Sequence, residues 1–561
     1  MKILLVSDGP FHSTGYGTQI DVLARKMVVD GHKVWIYAPG AFWFAQTPWV
    51  DGIIVLGSFS GDDRWGNRGL RAYVDWIQPD VVISWLDCQG MYAYGWDPIP
   101  TIMWAPIDTE PIPKSEVMIL RRAERLLVPS IWGKEILKQH GLASTYVPCG
   151  LDTQLYDIDD EARLRWRTAI QPQIPDETFL IGMVGLNCGS PDRKGYGYAF
   201  DIIKAFTEAH PNESICAYLH TNPTGEDGAI NLYELRDQLK LEDRIYLQRP
   251  GLPFGARPEY MRDLYNAFDV FLHTSLTEGF GLPVIEAQAC GVPVVVNACT
   301  SVSELVLNGG KAKPASSVWV STATRIYPPS ISRMTARLEA EYQRWLTETP
   351  EERLRRRREI RRSVMRFEWD QAYEKYWRPI LATIPRPVDF EAGERKLLLG
   401  GGRQCAEKKA RGFVTHDIDF LWDGVDVIHD LNILPWPWED NSFDYIEAED
   451  ILEHLRPHLM EIMDELWRIL APGGYLYVHT VEAGSWQLMT DPTHVVGYTT
   501  ESFDYFDPET QWGQIYGYSK RPWKIHKSTM DCGGLVFVLQ PRKEVSCESS
   551  SPAQQVSSVA T

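Results

Sequence analysis

The chain has 561 residues, of which 44% are hydrophobic, enough for three domains with full cores or for two domains and an appendage. Its formal charge of −19 opposes non-specific adhesion to nucleic acid or to anionic lipid. Nine cysteines without a C-x-x-C pair indicate neither a disulfide framework nor a zinc site. The first residues show no signal-peptide pattern and no apolar run is long enough to span a bilayer, so we expect a cytoplasmic protein without a transmembrane anchor.

Predicted strands and helices alternate through the first third of the chain. Gly15 and Gly17 lie in a loop after the first apolar run and before an amphipathic helix at 19–29. The alternation predicts a doubly wound parallel sheet, in which ligands gather where the strands end. Asp108 follows one such strand and would hydrogen-bond a sugar hydroxyl or an acceptor, although a carboxylate capping the turn before Pro111 fits equally well. The predicted strands are 2–7, 34–37, 52–56, 80–85, 101–105 and 125–129.

A second Rossmann-like segment opens with an apolar run at 179–186. The loop that begins at Asn187 leads into a predicted helix at 197–208 and carries Arg193 and Lys194 just before it. Two cations at a helix start would neutralise the negative charge of a diphosphate, in particular one that departs from a substrate as a leaving group. A solvated basic turn is the alternative.

The stretch 267–296 contains the clearest ligand signal. It reads as strand, loop, helix and strand, at 268–272, 274–280, 283–290 and 292–296. Gly279 and Gly281 would let a diphosphate approach the backbone beside a helix N-terminus, which attracts anions. Glu278 and Glu286 would accept hydrogen bonds from sugar hydroxyls. The stretch therefore predicts a site for a nucleotide diphosphate sugar, and an ordinary βαβ unit whose glycines only make turns is the alternative.

The same stretch resembles the retaining GT-B glycosyltransferases of the group 1 family, which includes glycogen synthase-like enzymes. The resemblance rests on the run E-G-F-G-L-P-x-x-E-A-x-A-C-G-x-P-V-V, which begins at Glu278. It implies an α/β fold with two Rossmann-like domains (GT-B) and a nucleotide diphosphate sugar as the donor. The residues that the resemblance places at the donor are Gly15, Gly17, Asn187, Gly279, Phe280, Gly281, Leu282 and Glu286, and those that it places in catalysis are Arg193, Lys194, Glu278 and Asp108.

Two positions depart from the family pattern. Asn187 stands where the family has the arginine of V-G-R, and Arg193 beside Lys194 supplies the charge instead. Ile107 stands in the place of the histidine of a His-Asp pair, which leaves Asp108 alone. In this family retention is explained by front-face attack, in which the departing phosphate takes the proton of the acceptor. That mechanism requires no side-chain nucleophile and no metal, and we expect no metal site.

The transferase is expected to end near residue 384. A basic run at 353–362 predicts a solvated helical face, with a patch that docks an anionic acceptor or a membrane surface as the alternative. A segment at 367–373 resembles the closing helix of the family, which crosses back onto the first domain. We therefore expect domains at 1–165 and 166–384, followed by a stiff linker at 385–387.

The remaining chain resembles class I methyltransferases that use S-adenosylmethionine, and we expect this third α/β domain at 385–542. Glycines after the first strand would let the methionine part of the cofactor pass close to the backbone. An acid after the second strand, Asp417, suits ribose hydroxyls. The residues predicted to bind the cofactor are Gly400, Gly401, Gly402, Asp417, Asp430, Leu431, Glu449 and Asp450.

Two histidines are candidates for acid–base work in this domain. His494 lies in a segment predicted to cover the pocket and is the predicted catalytic residue. His454 is as plausibly structural as it is a base. Because Leu398 stands where an acidic or Asn residue often precedes the glycines, a degenerate module that only binds cofactor or docks the acceptor is the alternative. The tail at 543–561 is rich in Ser, Gln and Ala and is predicted to be disordered.

The chain is therefore interpreted as a bifunctional enzyme, a retaining glycosyltransferase fused to an O-methyltransferase. Its expected partner is a saccharide or another hydroxyl-bearing acceptor. A viral DNA base or a protein side chain as acceptor stays open, with nucleic acid not favoured, and so does peripheral membrane contact. The contrasting hypothesis is a sugar- or cofactor-binding scaffold with an inert methyltransferase module.

Overall fold

The chain divides into two compact units, Met1–Pro387 and Val388–Thr561. The computed structural model describes residues 1–39, 46–58, 67–87, 101–170, 172–189, 191–225, 228–248, 256–307, 310–384, 395–419, 421–518, 520–531 and 534–543. The predicted linker and all but the first residue of the predicted tail lie outside these ranges. Within them, no helix combines the length and the apolar character that a membrane span needs.

The first unit begins with an eight-stranded sheet in the order β3-β4-β2-β1-β5-β6-β7-β8, parallel except for the pair of β3 and β4. Its central strands are short apolar runs that are buried on both faces, as expected for a parallel sheet between helices. The strands are Lys2–Val6 (β1), Lys33–Tyr37 (β2), Gln46–Pro48 (β3), Ile54–Leu56 (β4), Val81–Ser84 (β5), Thr101–Trp104 (β6), Arg125–Val128 (β7) and Thr145–Tyr146 (β8).

Among the described residues, four α-helices lie between the strands of this sheet in the sequence. The first of them begins at Gly15, because Thr14 accepts a hydrogen bond from the amide of Gly17 and so caps the helix. The predicted start at residue 19 is therefore wrong, and both glycines belong to the first turn rather than to a loop. The helices are Gly15–Val29 (α1), Asn67–Ile77 (α2), Lys114–Leu120 (α3) and Ile131–Gln139 (α4).

A second sheet of six parallel strands follows, in the order β11-β10-β9-β12-β13-β14. Its strands are Phe179–Val184 (β9), Ile215–His220 (β10), Ile245–Leu247 (β11), Val270–His273 (β12), Val294–Asn297 (β13) and Lys311–Ala312 (β14). Its helices are Asp160–Ala169 (α5), Tyr196–Ala209 (α6), Leu232–Leu239 (α7), Pro258–Ala267 (α8), Leu282–Ala289 (α9) and Val302–Leu305 (α10).

Each sheet has a point where the strand order reverses. The reversal falls between β1 and β5 in the first sheet and between β9 and β12 in the second. In open parallel sheets, ligands bind in the crevice that forms beyond the carboxyl ends of the strands at such a point. The topology therefore favours a ligand beside the loops that follow these four strands.

The end of the first unit returns to the first sheet. Arg378 Nη2 lies 2.6 Å from Asp30 Oδ1, and the ring of Trp377 meets that of Trp104 edge-on at 5.0 Å between centroids. These contacts join the segment after the second sheet to α1 and β6. The elements of this segment are the hairpin Val318–Trp319 (β15) and Arg325–Ile326 (β16), and the helices Ile331–Thr347 (α11), Pro350–Val364 (α12), Trp369–Ala372 (α13) and Arg378–Ala382 (α14).

Several arginines of the basic run form ion pairs within the first unit. Arg356 contacts Glu341 at 2.7 Å, and Arg357 contacts Asp160 at 2.6 Å. Arg361 donates to the carbonyl of Thr153 at 2.7 Å. The prediction of a solvated helical face is therefore wrong for these three residues, because they join α12 to neighbouring elements.

The second unit is a seven-stranded sheet in the order β19-β18-β17-β20-β21-β23-β22. The pairs from β19 to β21 are parallel, β23 is antiparallel to both its neighbours, and the order reverses between β17 and β20. The strands are Lys396–Leu399 (β17), Phe413–Asp417 (β18), Val427–Ile428 (β19), Phe443–Glu449 (β20), Leu470–Val481 (β21), Trp523–Asp531 (β22) and Gly534–Pro541 (β23). The helices are Cys405–Ala410 (α15), Leu459–Ile469 (α16), Trp486–Thr490 (α17) and Gln511–Tyr516 (α18).

Gly150 lies where the two sheets of the first unit are joined, and it has no room for a side chain. A Cβ there would lie 2.1 Å from Trp369 Cδ2, and the Gln19 amide already bonds both the N–H and the carbonyl of Gly150 at 2.8 Å. We expect Gly150→Ala to lower the free energy of unfolding by about 1–3 kcal/mol through overpacking. Urea denaturation followed by tryptophan fluorescence measures this loss.

Gly197→Ala provides the matched control for this change. Gly197 lies in the first turn of α6, and a Cβ there meets nothing closer than 3.8 Å. Because alanine is the better helix former, this variant should unfold at the same or a higher urea concentration than the wild type. Equal midpoints for the two variants would contradict the overpacking argument.

Candidate active sites

Arg193 and Lys194 are held at the reversal point of the second sheet by hydrogen bonds between two loops. The Leu276 amide donates to the Arg193 carbonyl at 2.8 Å, and the Thr274 hydroxyl donates to the Lys194 carbonyl at 2.9 Å. Gly195 follows with a φ of 72°, and a Cβ on it would lie 2.4 Å from the Thr274 carbonyl oxygen. The close approach of the two loops therefore requires glycine at this position.

Both cations point at Glu278. Lys194 Nζ lies 2.5 Å from Glu278 Oε1, and Arg193 Nη1 lies 3.6 Å from Glu278 Oε2. His273 Nε2 is 3.4 Å from Glu278 Oε1 and was not singled out from the sequence. Burial opposes ionisation of Glu278, but Lys194, the hydrogen bond from His273 and Arg193 together hold its pKa well below its usual value. The three residues predicted from the sequence thus form one charged cluster.

The glycines after Glu278 lead into the N-terminus of α9. Gly281 is the residue before the helix and has a φ of 110°, which favours glycine. A Cβ on Gly279 would lie 2.7 Å from Pro106 Cβ, so this loop touches the end of β6 in the first sheet. The Phe280 ring is buried against Phe367, and the contact of this residue with a donor stays a prediction.

Thr300 and Ser301 hold this loop in place. The Glu278 amide donates to Thr300 Oγ1 at 3.0 Å, and the Ser301 hydroxyl donates to the Glu278 carbonyl at 2.6 Å. The Ser301 hydroxyl also lies 3.0 Å from the Phe280 carbonyl. No local pattern predicts this function, because a hydroxyl that follows a strand has no fixed partner until the fold is known.

Glu286 lies on α9 and is paired with Tyr265 of α8. The Tyr265 hydroxyl donates to Glu286 Oε2 at 2.7 Å. Burial raises the pKa of Glu286 to about 7, against the lowering effect of this hydrogen bond. Because Tyr265 occupies one position on one oxygen, the carboxylate keeps acceptor positions for further hydroxyl donors.

The first sheet contributes Asp108, Asp87 and Tyr16 to the same region. Asp108 Oδ2 lies 4.0 Å from Arg193 Nη1, and the Tyr16 hydroxyl donates to Asp87. Burial raises the pKa of Asp108 to about 6; Arg193 opposes the rise, and Asp87 supports it. Asp108 was predicted as a site residue, whereas neither Tyr16 nor Asp87 was assigned a role from the sequence.

The two predicted glycines of α1 have different surroundings. A Cβ on Gly15 would lie 3.0 Å from Leu282 Cδ1, so this residue faces the start of α9 from the first sheet. A Cβ on Gly17 would lie 2.4 Å from the His12 carbonyl oxygen. Gly17 is therefore required for packing within its own turn, and a contact of this residue with a donor stays a prediction.

Asn187 uses its side-chain amide to join two loops. Its side chain is buried, and its Nδ2 donates to the carbonyls of Ile230 at 2.7 Å and of Asn222 at 3.1 Å. Both N–H groups are therefore used to fix the loops after β9 and β10. The Asn187 amide nitrogen thus holds backbone carbonyls, and a contact of this residue with the donor stays a prediction.

In the second unit, the predicted glycines form the loop after β17. Gly400 has a φ of 61° and Gly402 has a φ of 47°, and a Cβ on Gly401 would lie 2.5 Å from Leu398 Cδ2. Open space lies next to Gly402, where a Cβ would meet no atom within 4 Å among the described residues. A bare backbone at the reversal point of a parallel sheet fits the close approach of a cofactor.

Asp417 shapes this glycine loop. Its Oδ2 accepts from the Gly402 amide at 2.8 Å, and its Oδ1 accepts from the Asp419 amide at 3.1 Å. The residue is buried, and both of its oxygens have backbone partners. The carboxylate therefore holds the loop, and since each oxygen keeps a second acceptor position, the predicted contact of Asp417 with ribose hydroxyls stays a prediction.

The other predicted cofactor residues are dispersed along the same sheet edge. Asp430 closes a turn by accepting from the Asn432 amide at 2.9 Å. Glu449 accepts from Gln404 Nε2 at 3.0 Å, and Asp450 accepts from His479 Nδ1 at 2.5 Å. Leu431 is buried in the hydrophobic core of the unit, so its side chain does not line a pocket as predicted.

His494 lies against His454, with 4.6 Å between ring centroids. The pair is close to Glu453, which follows β20 and was not singled out from the sequence. Both histidines therefore lie beyond the carboxyl end of β20, at the same sheet edge as the glycine loop. The catalytic role of His494 stays a prediction.

Comparison with known proteins agrees with this architecture. Residues 229–318 match the family model described as glycosyl transferases group 1, and residues 405–478 match a model described as a methyltransferase domain. A sucrose-phosphate synthase from Thermosynechococcus elongatus has a TM-score of 0.53 at 18% identity, with 68% of this chain and 99% of that one covered. The first unit therefore has the GT-B fold.

Curated relatives match over shorter stretches. A D-inositol 3-phosphate glycosyltransferase from Corynebacterium jeikeium is 28% identical over 167 residues, which are 30% of this chain and 38% of the relative. The O-antigen chain mannosyltransferase B from Escherichia coli is 51% identical over 47 residues, which are 8% of this chain and 12% of the relative. The chain thus spans less than half of the length of these relatives. It carries a group 1 glycosyltransferase domain followed by a methyltransferase domain, which confirms the predicted resemblance and fold class.

Proposed function

We propose that the first unit transfers a sugar from a nucleotide diphosphate sugar to a hydroxyl group, with retention of anomeric configuration. The observation that carries this proposal is the convergence of Arg193, Lys194 and Glu278 beside the N-terminus of α9. Two cations and a helix N-terminus at a sheet reversal point suit a diphosphate, and the adjacent carboxylates suit sugar hydroxyls.

The cation pair would act mainly on the leaving group. As the bond between sugar and diphosphate breaks, negative charge grows on the diphosphate, and fixed cations in a partly buried site stabilise it. Glu278 keeps both cations pointed at the site before a donor binds. In front-face attack, the acceptor hydroxyl forms the new bond to the sugar and gives its proton to a phosphate oxygen. No side-chain nucleophile takes part.

The acceptor proposed for this site is a saccharide or another polyol. The names of the matched relatives, an inositol phosphate glycosyltransferase and a mannosyltransferase, support this class of acceptor. Asp108 reaches the site from the first sheet, with its Oδ2 4.0 Å from Arg193 Nη1. With a pKa of about 6, it is mostly ionised at neutral pH and accepts a hydrogen bond from an acceptor hydroxyl.

Donor hydrolysis tests the transferase without a known acceptor. The full-length chain is incubated with UDP-, GDP- and ADP-hexoses, and release of nucleoside diphosphate is measured. Slow hydrolysis of one donor that disappears in Lys194→Met supports the enzyme. Tight binding of a donor that is never hydrolysed or transferred would instead support the sugar-binding scaffold.

We propose further that the second unit binds S-adenosylmethionine and methylates a hydroxyl group, for instance on the transferred sugar. The cofactor would supply the methyl group, and the bare backbone of Gly400, Gly401 and Gly402 would hold it at the end of β17. Fusion of the two domains would raise the local concentration of the glycosylated product at the second site.

Asp417→Asn tests the glycine loop. Because asparagine replaces one acceptor oxygen with a donor amide, it weakens the hydrogen bonds from Gly402 and Asp419. We expect S-adenosylmethionine to bind about tenfold more weakly, the effect of roughly 1–3 kcal/mol for an unsatisfied buried group. Isothermal titration calorimetry measures the affinity, and Asp423→Asn, an exposed acid in the next loop, is the control. Equal affinity in both variants would contradict this function of Asp417.

A further inference from the structure

Three side chains of the second unit bring potential metal ligands together. Glu453 and His454 follow β20, and His494 comes from the loop after α17. One carboxylate oxygen of Glu453 and one ring nitrogen of each histidine all lie within 4.8 Å of one another. Two imidazoles and a carboxylate in such proximity form a donor set that binds divalent transition metals.

The carboxylate of Glu453 is incompletely satisfied. The residue is 0% exposed, and its Oε2 accepts from the Thr480 hydroxyl at 2.9 Å. Its Oε1 is buried and has no hydrogen-bond partner among the described residues. Buried carboxylate oxygens are rarely left in this state, because losing water without a replacement costs free energy. A bound cation would satisfy this oxygen.

The hydrogen bonds of the two histidines leave the same nitrogen available on each ring. His494 Nδ1 lies 3.2 Å from the Gln487 carbonyl oxygen, which can only accept, so Nδ1 carries the hydrogen. The Thr493 hydroxyl donates to Asp491 at 2.6 Å and must therefore accept from His454 Nδ1, which is 2.9 Å away. In the neutral form of each ring, Nε2 is therefore the nitrogen without a hydrogen.

This arrangement is typical of metal-binding histidines. A metal-ligating imidazole usually donates its other N–H to a carbonyl or to a group that is itself hydrogen-bonded to a carboxylate, which fixes the tautomer and the ring orientation. His494 has the first kind of partner in Gln487, and His454 has the second kind through Thr493 and Asp491. A pair of histidines that only packs against its neighbours does not need both tautomers fixed in this way.

We propose that Glu453, His454 and His494 bind a divalent transition-metal ion, such as Zn²⁺, Mn²⁺ or Co²⁺. Mg²⁺ and Ca²⁺ are disfavoured because they prefer all-oxygen sites. Three protein ligands leave at least one coordination position for water or for an oxygen of another molecule. The site lies beyond β20 at the reversal point of the sheet, the edge at which the glycine loop after β17 also lies. The open position is therefore suited to an acceptor oxygen.

This site was not foreseen from the sequence. The spacing of about forty residues between His454 and His494 matches no metal-binding motif. The expectation of no metal site came from the transferase mechanism, and the lack of a C-x-x-C pair argued only against zinc. The fold brings the two segments together, because the amide of Val495 donates to the Glu453 carbonyl at 2.8 Å.

Cobalt titration tests the proposal directly. The tag-free, full-length chain is treated with EDTA, dialysed and titrated with Co²⁺ alone, and visible d–d absorption is recorded. We expect one Co²⁺ per chain with bands that Zn²⁺ abolishes by competition. His494→Ala and Glu453→Gln should each weaken binding about tenfold or more, as changes around metal ligands typically do.

The control is His526→Ala, because His526 is an exposed histidine on β22, an edge strand of the same sheet. This variant should bind Co²⁺ as the wild type does. Thermal melting in EDTA checks that each variant is folded before metal is added, and His494→Ala decides the question if the buried Glu453→Gln does not fold. The proposal is overturned if the wild type shows no d–d bands, or if the folded His494→Ala variant binds Co²⁺ as tightly as His526→Ala. This readout is independent of methyl transfer and of any acceptor.

Discussion

Lys194→Met is expected to lower kcat for donor hydrolysis or sugar transfer about 10²–10³-fold, the range found when one preorganised group that stabilises developing charge is removed. Lys194 Nζ lies 2.5 Å from Glu278 Oε1 and is aimed at the region before α9. Methionine keeps most of the length and apolar stem of the lysine and removes its charge. Because negative charge grows on the diphosphate during the reaction, kcat should fall by a larger factor than KM rises.

Lys204→Met is the matched control. Lys204 lies on α6, the helix that follows Lys194, and its Nζ is 3.9 Å from Glu208 Oε1, a long contact on the surface of that helix. The kcat of the Lys204→Met variant should equal that of the wild type. Thermal melting of both variants separates a catalytic effect from loss of structure, since Lys194→Met also removes a partner of the buried Glu278. A folded Lys194→Met protein with a kcat within about threefold of the control would refute the proposed function of the cation pair.

The parts of the donor site that could be predicted are those encoded in short, contiguous segments. Gly279 and Gly281 come directly before α9, and Arg193 and Lys194 come directly before α6. Because parallel strands end at one edge of a sheet, loops after β9 and β12 must meet at the reversal point. Local sequence therefore implied the juxtaposition of these residues.

The parts that could not be predicted depend on contacts between distant segments. Tyr265 reaches Glu286 from another helix, and Thr300 reaches Glu278 from the loop after β13. No periodicity or spacing marks a tyrosine or a threonine as such a partner. Asn187 was placed at the donor from its aligned position alone, and the backbone carbonyls that its amide nitrogen binds could not be predicted from that alignment.

The same distinction between local signals and contacts of distant segments explains which residues of the second unit could be predicted. The glycines at 400–402 were recognised because their spacing after a strand is a local signal, and the structure gives two of them positive φ values. Asp417 was recognised by position but is used to hold the Gly402 amide. Glu453, His454 and His494 were not recognised as a group, because their relation arises only when the segment after α17 packs against the end of β20.

Donor affinity is expected to rise with pH up to about 7 and then to level off. Burial raises the pKa of Glu286 to about 7 in the free protein. Ribose or hexose hydroxyls donate hydrogen bonds, so they bind the ionised carboxylate better than the protonated acid. Donor binding must then lower the pKa of Glu286, and by linkage the affinity increases with pH between the bound and the free pKa values. Calorimetric titration with the donor at several pH values measures this dependence.

Glu286→Gln should weaken donor binding roughly ten- to a hundredfold at pH 8, because hydrogen bonds to a charged group contribute about 1.5–3 kcal/mol. It should also remove most of the pH dependence between 5 and 7, because glutamine does not ionise. Glu259→Gln, an exposed acid on the helix that carries Tyr265, should keep the wild-type profile.

The stability of the first unit provides a second and independent readout of the same group. The folded-state pKa of Glu286, about 7, lies above the ordinary glutamate value, so the folded protein binds this proton more tightly than the unfolded chain does. The contribution of Glu286 to the free energy of unfolding is therefore fully present at pH values below the pKa of this residue in the unfolded chain. It is lost as the pH rises to about 7. Glu286→Gln should flatten this loss in urea denaturation. If the flattening appears while donor affinity and its pH dependence stay as in the wild type, Glu286 is a buried acid without a function in donor binding.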